Sequence, residues 1–167
     1  MTKTPVHQRS DRRGLSLMDL VITVLIMSIL SAVAAPRFSS TLNHYSAETA
    51  AQQLCADLNY ARQYARQTSQ EILVQFTQTP PGYTLTGVPS LDKSGNDFSV
   101  DLVDLGYNVT LPTVDFDGEL GLRFNPYGRP LVADGSAALS SGTVIVRAGS
   151  DITTVLINID NGKAEVQ

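Results

Sequence analysis

The chain holds two histidines, His7 and His44, too few for a Ser/His/Asp relay or a zinc site. No glycine-rich loop ends in Lys-Ser or Lys-Thr, so there is no cradle for phosphate. Carboxylates are more plentiful. Asp115, Asp117 and Glu119 alternate, and on a strand they would share one face and offer oxygen ligands to calcium. Asp92, Ser94, Asn96 and Asp97 form a second oxygen-rich stretch. Neither matches a binding motif, and both read as solvated surface. The expectation is a chain with no catalytic residues, no metal and no cofactor, and therefore not an enzyme. One acid stands apart. Asp19 is the only charge between Leu15 and Ala35. A carboxylate inside a membrane helix costs on the order of several kcal/mol unless it meets a partner or sits at headgroup level. A free α-amino group on an adjacent chain is one such partner, and a helix N-terminus favours negative charge.

The element that positions Asp19 is an apolar run. From Leu15 to Ala35 the side chains are Leu, Ile, Val, Met and Ala apart from Asp19 and the hydroxyls Ser16, Thr23, Ser28 and Ser31. Its 21 residues give a helix of roughly 31 Å, the thickness of a bilayer's hydrocarbon core. No polar stripe interrupts it, so residues 15–36 are read as a transmembrane helix. Lys3, Arg9, Arg12 and Arg13 precede the run and only Arg37 follows it closely, which puts the C-terminal part outside the cytoplasm. Residues 1–14 are polar, without periodicity, and read as a disposable leader. The competing reading is an ordinary signal peptide, for which Ala32-Val33-Ala34 offers a small-x-small cut.

Pro36 removes a backbone donor and is expected to kink the helix without ending it, because helical signals resume at once. Residues 37–70 read as an amphipathic helix. Ala47, Ala51, Leu54, Leu58, Ala61 and Ala65 recur every three or four positions, with Glu48, Asp57, Arg62 and Arg66 off that stripe. Residues 71–167 change character. Short β-type runs at 72–76, 83–86, 98–105, 109–111, 120–124, 143–147 and 153–159 are broken by Gly and Pro, and Asn161-Gly162 is a hairpin signal. The fold class expected is α+β: a long bent N-terminal helix, half transmembrane and half amphipathic, packed on an antiparallel β-sheet head.

Charge divides unevenly. The first 14 residues hold 4 of the 12 bases and 1 of the 16 acids, leaving 8 against 15 in the rest. An acidic head argues against broad attraction to nucleic acid. Arg123, Arg129 and Arg147 can still gather in three dimensions, but they sit among acids. The lone cysteine, Cys55, has no internal partner and its neighbours suggest burial.

The stretch Arg12-Arg13-Gly14-Leu15-Ser16-Leu17-Met18-Asp19-Leu20 resembles the prepilin-type processing motif, with Pro36 at the family's spacing. The resemblance implies cutting after Gly14 by a prepilin peptidase. Leu15 would then be the N-methylated terminus, and Asp19 the acid that meets a neighbour's amino terminus during assembly. Leu15 and Asp19 stand where the family usually has Phe and Glu, and the shorter Asp reaches less far. The head, from about residue 40, is similar to minor pseudopilins of the GspH/FimT type. The likeness rests on Ala61 to Arg66, on Leu122 to Gly128 and on the closing Ile157 to Gly162. It implies a pilin-like subunit of a type II secretion pseudopilus or type IV pilus. Its expected partners are the prepilin peptidase, the inner membrane and other pilin or pseudopilin subunits, with the head periplasmic. Two other readings stay open, a DNA-binding minor pilin and a single-pass anchored binding module that never polymerises. Processing after Gly14 separates the second from a pilin.

Overall fold

The structure is a computed structural model that describes residues 16–90 and 97–167. The chain divides into two compact units, one up to Phe38 and one from Ser39 to Gln167. A single helix, α1 (Leu17–Thr68), contributes to both.

In the second unit the expected stripe is the buried face of α1. Ala47, Ala51, Leu54, Leu58, Ala61 and Ala65 are fully buried, and Ala50 joins them. Small side chains at most of these positions let the helix backbone approach the sheets closely. After α1 the period of burial shortens from helical to two. Nine strands follow among the described residues: β1 (Ile72–Gln78), β2 (Pro81–Pro89), β3 (Asp97–Asp101), β4 (Thr110–Asp115), β5 (Gly121–Phe124), β6 (Pro130–Val132), β7 (Thr143–Ala148), β8 (Asp151–Ile157) and β9 (Ala164–Val166). Ile72, Val74 and Phe76 turn inward on β1, and Val144, Val146 and Ala148 do so on β7. Every pairing is antiparallel, in one sheet ordered β3-β2-β1-β5-β6 and another ordered β4-β7-β8-β9. This is the α+β arrangement expected from the sequence.

The sheets meet where β1 approaches β4. Gln78 Nε2 donates to the Leu111 carbonyl at 3.1 Å, and Phe76 stacks on Phe116 with centroids 5.4 Å apart. α1 is tied to both sheets. Asp57 accepts the Tyr83 hydroxyl of β2, and Asn59 reaches Ala164 on β9, where its Nδ2 donates to the carbonyl at 3.0 Å and its Oδ1 accepts the N–H at 3.2 Å. Asn59 thus satisfies one residue of an edge strand as a neighbouring strand would.

One run and one residue depart from expectation. The strand expected over 98–105 ends at Asp101, whose Oδ1 accepts the amides of Val103 (2.8 Å) and Asp104 (3.3 Å) and folds the chain into a turn. Asp57, expected off the apolar stripe, is 8 % exposed and belongs to the helix–sheet interface.

Candidate assembly helix and the acidic sites of the head

The first turn of α1 is built by Ser16 and Asp19. Ser16 stands at the N-cap, its Oγ accepting the Met18 amide at 3.3 Å, while Asp19 Oδ2 accepts the Ser16 amide at 3.3 Å. That reciprocal pattern is a variant of the capping box, with the N2 amide in place of N3, and it satisfies donors that the helix start would leave open. Asp19 therefore has a partner within its own chain as well as the expected intermolecular one, at the three-residue spacing from Ser16 that the sequence already carries.

From Leu17 to Val33, Asp19 apart, the helix has no face for water. Leu17, Met18, Leu20, Val21, Ile22, Val24, Leu25, Ile26, Met27, Ile29, Leu30 and Val33 are all exposed. Two of its hydroxyls turn inward to the backbone, with Thr23 Oγ1 donating to the Leu20 carbonyl at 2.8 Å and Ser28 Oγ to that of Val24 at 2.7 Å. A polar group satisfied by its own helix can enter lipid at little cost. The helix is long and apolar enough to cross a membrane. Burying one such side chain stabilises by roughly 1.5–3 kcal/mol, so a dozen exposed ones call for lipid or for other helices. Pro36 lies within α1. Gly14 and Leu15, where cleavage and methylation are expected, lie outside the described residues, as do residues 1–14 and His7.

The acidic triplet does not gather as a site. β4 stops at Asp115, whose Oδ1 accepts the Gly118 amide at 2.8 Å, and residues 116–119 form a turn with Asp117 at φ 56°. The Asp117 carboxylate is occupied by Ser140 and Ser141, through both amides (2.7 and 2.9 Å) and both hydroxyls (2.5 and 3.2 Å). These bonds, the Ser140 hydroxyl first, hold its carboxyl below the usual range. Asp117 therefore pins the loop before β7 to the turn after β4. Among the described residues no three His, Cys, Asp or Glu side chains are placed to hold a metal. Asp92, Ser94 and Asn96 lie outside those residues.

The other residues singled out are spread over the head. His44 is exposed, 3.8 Å from Glu48 and 4.0 Å from Asp151. Arg123, on β5, is committed to Glu71 (3.1 Å) and to the Ala133 carbonyl (3.0 Å), and Arg147 lies on β7 of the other sheet. Cys55 is half-buried, and its thiol donates to the Ala164 carbonyl at 3.1 Å. Burial, and then the charge of Glu165, push its pKa up.

A helix with an apolar membrane-length segment that continues into an antiparallel α+β head defines a pilin-like subunit. Residues 50–162 match the family model described as type II transport protein GspH, and the chain belongs to that family. Comparison with curated proteins finds no match, and comparison with solved structures finds none. The family is one of pseudopilins of type II secretion, structural subunits that interact with other pseudopilins. The apolar segment of α1 fits single-pass anchoring in the inner membrane.

Proposed function

We propose that the chain is a minor pseudopilin stored in the inner membrane and drawn from it into a pseudopilus. A prepilin peptidase cuts after Gly14, Leu15 becomes the methylated amino terminus, and the head faces the periplasm. Residues 15–36 form the membrane and assembly segment, with Pro36 kinking the helix where the amphipathic part begins. The observation that carries this reading is an α1 segment exposed and apolar on all sides, with its one acid in the first turn. In the stored subunit Asp19 accepts the Ser16 amide. In the fibre its carboxylate is free to accept, in addition, the amino terminus of the neighbouring subunit, so the negative charge always has a donor. The family supports a pseudopilus over a pilus or a DNA receptor.

The intact mass and N-terminal sequence of the protein from its native membrane test the proposal. A chain starting at Leu15 and heavier by one methyl group is expected. A chain starting at Met1 or at Ala35 would refute it.

A further inference from the structure

The bases of this acidic head are not evenly spread. Arg62 and Arg66 stand one turn apart near the C-terminal end of α1, and both stems lie over the tight turn of residues 125–129. Gly128 in that turn has φ 78°, and a Cβ there would stand 2.8 Å from Arg66 Cδ and 3.2 Å from Arg62 Cγ, so only glycine lets the two elements meet. The β8–β9 turn closes on the same place. Arg62 Nη1 donates to the Asn161 carbonyl at 2.9 Å, and Gly162 lies against the Gly128 carbonyl. Arg129 follows on the same turn and lines a shallow groove with Leu131, Leu139 and Ile159.

Arg66 and Arg129 are not consumed within the head, whereas Arg62 spends Nη1 on the Asn161 carbonyl. Among the described residues the guanidinium groups of Arg66 and Arg129 make no ion pair or hydrogen bond, and Arg62 Nε is buried without a partner. Asp160 lines the groove beside Arg129 without forming an ion pair, and Lys163 is committed to Glu165 at 2.8 Å.

Beside them Tyr127 is 83 % exposed. Its turn is stiff: Asn125 Oδ1 accepts the amides of Tyr127 (3.0 Å) and Arg129 (2.9 Å), and the Asn125 and Gly128 amides donate to the carbonyls of Arg129 (3.0 Å) and Asn125 (2.8 Å). An aromatic ring on a turn ordered before any partner arrives loses little further freedom on binding, and Tyr with Arg is the pairing that anchors protein interfaces.

We infer that Tyr127, Arg62, Arg66 and Arg129 form a docking surface for a carboxylate-bearing segment on the head of another fibre subunit. This rests on the fibre-subunit reading above. Charge decides the occupant. Three cations on a head with seven more acids than bases offer few phosphate contacts, and the surrounding acids repel a nucleic acid, whereas one or two protein carboxylates match them.

The test places p-benzoylphenylalanine at Tyr127 of the full-length chain, in cells with their own secretion system, and maps the photocrosslink by mass spectrometry. Leu120, also exposed, serves as the control position. The crosslink from position 127 is expected on another pseudopilin's head, within a few residues of Asp or Glu. The double variant R66E/R129E is expected to lower its yield about tenfold or more, and R66K/R129K to keep most of it. A crosslink to nucleic acid, lipid or exported cargo overturns the inference, as does a yield no higher than at Leu120 or one indifferent to charge reversal. Co-isolation of the chain with sheared fibres is scored in parallel. A chain that enters fibres without this crosslink refutes the docking surface alone, and a chain that never enters them refutes the fibre-subunit reading as well.

Discussion

Replacing Tyr83 by Phe removes one hydroxyl from the most enclosed polar contact between α1 and the first sheet. Tyr83 is 2 % exposed and Asp57 8 %. The hydroxyl donates to Asp57 Oδ2 at 2.5 Å, and the other side-chain donor to that oxygen is Gln53 Nε2 at 2.9 Å. Tyr83→Phe keeps the ring, which packs 5.8 Å from Phe76, so no cavity confuses the result. A hydrogen bond to a charged, largely buried acceptor contributes about 1.5–3 kcal/mol. With an unfolding entropy of about 2.1 cal/mol/K per residue, that loss lowers the Tm of a head of residues 39–167 by roughly 5–11 °C.

The assay is near-ultraviolet circular dichroism of the full chain in detergent on heating, with Tyr45→Phe, at an exposed ring, as the control. The pH dependence adds a second reading. Burial first, and then the charge of Asp57, push the Tyr83 pKa far above its ordinary value. A group whose pKa is higher folded than unfolded contributes stability that is full below the unfolded value and is lost as pH rises above it. The gap between wild type and Tyr83→Phe is therefore expected to hold up to about pH 10 and to narrow beyond it. A Tm change within 1–2 °C of the Tyr45→Phe control, or a gap constant through pH 11, would refute the reasoning.

At the first turn of α1, Asp19→Asn keeps an oxygen for the Ser16 amide but removes the charge. Fibre incorporation, measured in sheared fractions, is expected to fall strongly in Asp19→Asn and to survive in Asp19→Glu, while membrane insertion is unchanged in both. Wild-type incorporation of Asp19→Asn would leave capping as the whole role of the residue. Asn59→Ala opens the edge of β9 and leaves the Ala164 amide unsatisfied at a cost of about 1–3 kcal/mol, while its carbonyl keeps the Cys55 thiol, and hydrogen exchange should quicken at the Ala164 amide above all. Cys55, with its raised pKa, should react with iodoacetamide at pH 8 several-fold more slowly than a free cysteine and recover the ordinary rate in denaturant, which mass spectrometry would follow. An equal rate in the folded chain would refute its placement against Ala164.

The elements with one-dimensional signals were legible in the sequence. An unbroken apolar run needs no partner to be recognised, and the stripe Ala47 to Ala65 repeats with the helix's own period, so the membrane-length apolar segment, the amphipathic half and the antiparallel head could be read from order alone. Where a side chain bonds to backbone nearby, local pattern misled. Asp101 and Asp115 look like alternating strand residues, but each folds its oxygen onto an amide two or three positions on and makes a turn.

Only the tertiary structure decided what the isolated polar residues do. Asp57 and Tyr83 are 26 positions apart and Asn59 and Ala164 are 105 apart, so no window along the chain brings them together. The same holds for Arg129 and the helix pair Arg62 and Arg66. In the sequence Arg62 and Arg66 are charges off the helix stripe and Arg129 is grouped with Arg123 and Arg147, and the three become one surface because two turns, at Gly128 and Gly162, pack under the end of α1. Hydrophobic periodicity is set by the geometry of one element and is written in order. Polar pairing is set by which elements fold against each other, and that is fixed only when the whole head has closed around its core.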